Sequence, residues 1–129
     1  MARTSIQAAR GLLDHVTPLE HALIDALAAR YPETSDIDDF GPWNDAFADA
    51  MRRVHSEFGT DLDVCALFAE ALMNRTPWQL WDLPTGKPAE GADTLEAIAV
   101  LENAFSSLAG AWQHAGLLHM YAHLMEMSP

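Results

Sequence analysis

The sequence predicts an all-α fold, built as an array of antiparallel helical hairpins with about six helices. Half of the 129 residues are apolar, and Val, Ile and Thr are sparse beside Ala, Leu, Met and Glu, which favour helices. Apolar residues recur three or four positions apart in successive segments, and Gly and Pro cluster between those segments. A chain of this length can bury a core without disulfides, so we expect a single domain over residues 1–129.

The first hairpin is predicted at about residues 5–31. Apolar residues have helical spacing from Ile6 to Leu13. Residues 17–20, Thr-Pro-Leu-Glu, then indicate a helix start, with threonine as N-cap, proline at the first helical position and glutamate three residues after the cap. The second helix should end just before Pro32, because proline disfavours helical geometry in the preceding residue.

The second hairpin is predicted at about residues 42–74. An acidic run at 33–39 precedes it, which we interpret as a solvated loop that caps the next helix; a cation site is the alternative. Apolar spacing covers the first helix, and Gly59 lies just past its end, as is typical of a helix stop. Asp61 or Asp63 then caps the second helix, and so short a turn favours antiparallel packing.

Residues 75–92 form the longest loop and hold three of the seven prolines. We expect Trp78 and Trp81 to pack back over the hairpin ends; the alternative is an aromatic ligand patch, with Tyr121 as a third member. The third hairpin follows at about residues 93–127. It begins with Asp93-Thr-Leu-Glu, which resembles a capping box.

The second helices of the hairpins are related in sequence. Residues 61–72 align with residues 114–125, which matches Phe68 with Tyr121, and residues 17–30 fit the same template. Similar hairpins repeated along a chain are typical of a stacked helical array.

Two motifs carry a resemblance to a known group of proteins. Residues 67–82 contain Leu-Phe-Ala-Glu-Ala-Leu-Met-Asn and Pro-Trp-x-x-Trp-Asp, and residues 114–129 read His-x-Gly-Leu-Leu-His-Met-Tyr-x-His-Leu-Met-Glu-Met-Ser-Pro. With these motifs the chain resembles bacterial tetratricopeptide-repeat-like (TPR-like) proteins, a group without an assigned reaction. The resemblance covers roughly residues 6–129 and implies an α-α superhelix, a scaffold role and an internal fragment of a longer member. Ala115 stands where the group commonly has proline, and other members continue past Pro129.

The last helix carries a candidate metal site. His119, His123 and Glu126 are four and three residues apart, so they lie on one stripe of a helix and could bind a divalent transition metal. His114 and Glu70 are candidate additional ligands. The preferred interpretation is that these histidines hydrogen-bond backbone or carboxylate groups between repeats. A His-Glu-x-x-His protease motif is excluded, because Met-Tyr-Ala stands between the two histidines of the stripe.

Charge and composition limit the function further. The formal net charge is −12, which argues against a nucleic-acid partner. Cys65 is the single cysteine, and no signal-peptide core or membrane span is apparent, so we expect a cytoplasmic protein that does not bind membranes. We therefore expect a non-catalytic, TPR-like module without a cofactor, which binds a protein or peptide and forms a homo-oligomer, in the simplest case a dimer. The alternative is a metal-binding protein or metal-dependent enzyme that uses the histidine stripe.

Overall fold

The computed structural model describes residues 2–31 and 39–128, and within them the fold is all-α, as the sequence predicts. It contains six α-helices: α1 (Ala2–Arg10), α2 (Pro18–Arg30), α3 (Gly41–Phe58), α4 (Leu62–Met73), α5 (Thr94–Ser107) and α6 (Ala115–Met125). Two 3-10 turns occupy Leu13–His15 and Ala111–Gln113. The long loop holds a small antiparallel hairpin of β1 (Trp81–Asp82) and β2 (Lys87–Pro88). At the end of the acidic run, the Asp39 carboxylate accepts the backbone N–H of Gly41 at 2.8 Å at the start of α3, in line with the capping interpretation. Residues 33–38 lie outside the described residues, so the solvated loop and the cation site stay predictions.

The chain divides into two compact units, Met1–Phe58 and Gly59–Pro129. In the first unit, α2 packs against α1 and α3. In the second unit, α4 packs against α5 and α6, and α5 and α6 contact each other. The unit boundary separates the two helices of the predicted hairpin at 42–74, so that hairpin and the TPR-like packing stay predictions.

The start of α2 has the geometry that its sequence predicts. The backbone N–H of Glu20 donates to the Thr17 hydroxyl at 3.2 Å, and the backbone N–H of Thr17 donates to the Glu20 carboxylate at 2.8 Å. Together with Pro18 these bonds form the predicted capping box. The backbone hydrogen bond from Thr17 is the main reason that the pKa of Glu20 lies below its ordinary value.

Helix α4 is the most buried helix of the second unit. Asp61 caps it by accepting the Val64 N–H at 3.1 Å, which decides between the two predicted caps. Phe68 and Leu72 are buried along its length. Leu67, between these buried positions and Val64, is exposed. The core of this unit is completed by side chains from the other two helices: Ala97, Leu101 and Ala104 of α5, and Leu117 and Leu124 of α6.

The predicted capping box at the start of α5 is wrong. Asp93 occupies the N-cap position without capping the helix through its side chain, which pairs with the guanidinium of Arg75 instead. The next residue, Thr94, is fully buried, and its hydroxyl donates to the Leu80 carbonyl at 2.5 Å. Both interactions join residues of the long loop to the start of α5. They therefore fix one side of the candidate site.

Candidate functional site

An open groove in the second unit is the candidate functional site. It has a volume of about 260 Å³ and lies where the long loop meets α4 and α6. Ten residues line it: Glu70, Met73, Asn74, Pro77, Trp78, Leu80, Met120, His123, Glu126 and Met127. Four of the eight residues nominated from the sequence line it, namely Glu70, Trp78, His123 and Glu126, and the other four lie outside it.

Trp81 holds the loop on the end of α6. Its indole Nε1–H donates to the carbonyl of Leu124 at 2.6 Å, and this carbonyl belongs to the last turn of the helix, where backbone acceptors lack intrahelical partners. Leu80, one residue earlier, is buried. The predicted packing of the loop onto the helix ends is therefore confirmed for Trp81. This residue does not line the groove, so its role in ligand binding stays a prediction.

Trp78 differs from Trp81 in both exposure and backbone geometry. Its side chain is 78% exposed, so the expectation that it packs over the hairpin ends is wrong. Its φ of 63° is the only positive φ of a non-glycine residue in the described part of the chain. Holding an L-residue in this region costs of order 1–2 kcal/mol. Strained residues of this kind are concentrated at ligand clamps and active sites, so its position at the groove is notable.

Three methionines form much of the apolar part of the groove. Met73 comes from the last turn of α4, Met120 from the middle of α6, and Met127 from just past the end of α6. An unbranched thioether side chain adapts its shape to an irregular apolar ligand. The sequence reasoning missed these residues. Met120 and Met127 are seven residues apart and so share a helix stripe, but only tertiary packing brings Met73 beside them.

Two carboxylates and one imidazole add a polar edge to the groove. The Glu70 carboxylate accepts from the Asn74 amide at 3.4 Å, and the Glu126 carboxylate lies 3.4 Å from Nδ1 of His123. Among the described residues that line the groove, none is Lys or Arg. The groove therefore combines an apolar interior with a negatively charged edge.

The histidines nominated as metal ligands are only partly brought together. The rings of His119 and His123 meet edge to face, with centroids 4.5 Å apart, and His119 lies outside the groove. His114 caps α6 instead: its Nδ1 accepts the Leu117 N–H at 3.2 Å, and its Nε2 lies 3.1 Å from the Asp63 carboxylate. Because Nδ1 accepts, the proton belongs on Nε2, which donates to Asp63.

Metal binding gains no support from this arrangement. Within residues 2–31 and 39–128, no group of three or more His, Cys, Asp or Glu side chains is placed to hold a metal ion. Glu70 lines the same groove as His123 and Glu126, whereas His114 is occupied by its cap. The role of the stripe as a metal site stays a prediction.

Tyr121 belongs to an aromatic cluster of α5, α6 and the 3-10 turn between them. Its ring packs edge to face on Phe105 at 5.4 Å, and Phe105 stacks on Trp112 at 4.4 Å. The Tyr121 hydroxyl donates to the Glu102 carboxylate at 3.2 Å. Burial, followed by this hydrogen bond and the charge of Glu102, raises the pKa of Tyr121. Tyr121 does not line the groove, and its nomination as a ligand-binding residue stays a prediction.

Cys65 has the environment of a small apolar side chain. It is buried, and its thiol donates to the Gly59 carbonyl at 3.3 Å. Burial, with a smaller contribution from the charge of Asp61, raises the pKa of the thiol. A raised pKa disfavours the thiolate, which is the reactive form of cysteine.

Comparisons of this chain with family models, with curated proteins and with solved structures found no match. In the described part of the chain, every helix is too short or too polar to cross a membrane. The chemistry of the groove is therefore the evidence for function.

Proposed function

We propose that the chain is a TPR-like helical-repeat module that binds a segment of another protein in the groove and catalyses no reaction. The observation that carries the proposal is the lining of the groove by Trp78 and the three methionines, next to a loop that is fixed at Trp81. Tryptophan and methionine are enriched at protein interfaces, and tryptophan is prominent among the residues that dominate binding energy.

The size of the groove favours a side chain of an extended ligand over a whole small molecule. Pockets for drug-sized ligands usually have volumes of about 300–1,000 Å³ and enclose most of the ligand. The groove, at about 260 Å³, is smaller and open to solvent along one side. One or two apolar side chains of a peptide would fill it, with the peptide backbone left on the surface.

A peptide selected on the protein from a random library tests this proposal. We expect the selected peptide to bind with a Kd in the micromolar range, since few buried anchor residues contribute. The methyl NMR signals of Met73, Met120 and Met127 should shift on binding. Met51, which is buried in the first unit, is the internal control and should not shift. Failure to select any peptide, or shifts confined to Met51, would contradict the proposal.

We also propose that the chain self-associates as a dimer. Apolar side chains of the second unit support this, because Trp112 is 61% exposed and Leu95 and Leu118 are exposed as well. Large exposed apolar side chains often mark association surfaces. Light scattering over a wide concentration range should show a dimer, and a monomer at every concentration would refute this part of the proposal.

A cytoplasmic location is the final part of the proposal. It is supported by Cys65, the only cysteine of the chain, which is held as a free thiol. Cell fractionation should find the protein in the cytoplasm, and its recovery from the periplasm or the medium would contradict this.

A further inference from the structure

We infer that the ligand of the groove is a cationic segment, in which an apolar side chain enters among the methionines and an adjacent Lys or Arg pairs with Glu70 and Glu126. The inference rests on the proposed function, because it names the class of segment that the same groove binds. A basic peptide segment fits the groove because its charge is complementary to that of the two carboxylates.

Two carboxylates give the groove its negative charge. Glu70 comes from α4 and Glu126 from the end of α6, and both line the groove next to the methionines. Their contacts within the groove are with the amide of Asn74 and the imidazole of His123, each at 3.4 Å. These distances are long for hydrogen bonds. A Lys or Arg that reaches either carboxylate would therefore gain a charge-assisted hydrogen bond in exchange for a weak contact.

The unit that contains the groove is strongly acidic. Residues 59–129 contain nine acidic residues and two basic residues, Arg75 and Lys87. Arg75 is already paired with Asp93, and Lys87 lies in the small hairpin. A cationic segment is attracted to a surface of this charge, and an acidic segment is repelled from it.

An exposed indole, that of Trp78, also lines the groove. The aromatic face of Trp78 attracts cations as well as apolar groups, and this side chain is 78% exposed. A neutral apolar segment could use Trp78 and the methionines but would leave Glu70 and Glu126 partly desolvated without compensation. A segment that places a cation beside its apolar anchor satisfies both parts of the groove.

Four fluorescein-labelled peptides of equal length test the inference. Three carry a central leucine flanked by Lys, by Gln or by Glu, and the fourth keeps the flanking Lys but has serine in place of leucine. We expect the Lys-Leu peptide to bind most tightly in fluorescence anisotropy, followed by the Gln and then the Glu peptide. The serine peptide should bind weakly, because charge alone does not fill the groove.

Protein variants test whether the effect of peptide charge on affinity comes from the two carboxylates of the groove. Glu70→Gln and Glu126→Gln should each weaken binding of the Lys-Leu peptide by roughly two- to fivefold, as expected for a solvent-accessible ion pair. They should leave the affinity for the Gln peptide unchanged. Glu90→Gln is the matched control, because it makes the same change of charge in the second unit at an exposed residue outside the groove. Circular dichroism verifies that each variant is folded.

The outcomes separate the inference from the proposed function. Equal affinity for the Lys-Leu and Gln peptides, or equal loss in Glu90→Gln, would overturn the inference and leave the groove as a binding site for neutral segments. Equal binding of the serine peptide would also overturn it, since attraction would then be independent of the groove. If none of the peptides shifts the methyl signals of Met73, Met120 and Met127, both the inference and the proposed function fail.

Discussion

Replacement of His114 tests whether this residue is a helix cap or a ligand. Its ring accepts the Leu117 N–H and reaches the Asp63 carboxylate, and so joins the start of α6 to the start of α4. His114→Ala removes both interactions. His114→Asn keeps a side-chain oxygen that can accept the same N–H, because asparagine is among the best N-cap residues, but it is too short to reach Asp63.

The expected destabilisation can be estimated from these two contacts. Loss of a side-chain N-cap costs about 1 kcal/mol. The pair with Asp63 adds little, because the Asp63 side chain is 82% exposed and solvent screens the interaction. We therefore expect His114→Ala to lower the free energy of unfolding by about 1 kcal/mol, and His114→Asn to lower it by less than half of that amount. For a unit of this size, ~1 kcal/mol corresponds to a decrease in Tm of roughly 4–8 °C.

Urea and thermal unfolding, followed by circular dichroism, measure this difference. His119→Ala is the control, because His119 is an exposed histidine of the same helix. Its ring contacts the ring of His123. That variant should unfold like the wild-type protein. Equal losses in His114→Ala and His114→Asn would refute the capping role, and so would a large loss in the control.

Thr94→Val should lower the free energy of unfolding by about 1 kcal/mol in urea titrations, because it deletes the hydrogen bond to Leu80, while Thr94→Ser should retain most of the stability. Ultraviolet titration, in a background without the other tyrosine, should place the pKa of Tyr121 above its usual value of 10.0, and Glu102→Gln should return it only in part, since burial is the larger cause. An unchanged pKa in that variant would contradict the hydrogen bond. The pKa of Glu20 is lower in the folded state than its usual value of 4.5, so its stabilising contribution is present above that value and is lost as the pH falls through the lower, folded-state pKa. Glu20→Gln should remove this part of the acid dependence of unfolding, and an identical dependence in both proteins would refute it.

Features that depend on neighbouring residues in the chain could be predicted from the sequence. The capping box at Thr17 requires a hydroxyl, a proline and a carboxylate within four residues, and the structure contains it. The similar pattern at Asp93 does not form a capping box, because Arg75, eighteen residues away, binds the Asp93 carboxylate. Local capping patterns therefore predict a helix start, whereas the partner of each side chain depends on packing that the pattern does not contain.

The candidate site shows the same limit. Helical spacing correctly placed His119, His123 and Glu126 near one another, since all three lie within two turns of one helix segment. The groove also requires Met73 and Trp78. Only the packing of α4 and of the loop after it places these two residues beside α6. The positive φ of Trp78 could not be predicted from the sequence either, because no sequence pattern indicates a tryptophan in the left-handed backbone region.

The proposed binding of a peptide would use both fixed and adaptable parts of the groove. Trp81 and Thr94 fix the loop through bonds to the Leu124 and Leu80 carbonyls, so the loop loses little conformational freedom when a ligand binds. The methionines can adopt several rotamers at low cost and so accept different apolar anchors. Selectivity would then come from charge, which stays the same in every rotamer, and the acidic groups that line this groove are the carboxylates of Glu70 and Glu126. A module of this kind would accept variation in the anchor residue of its partner but not in the charge beside it.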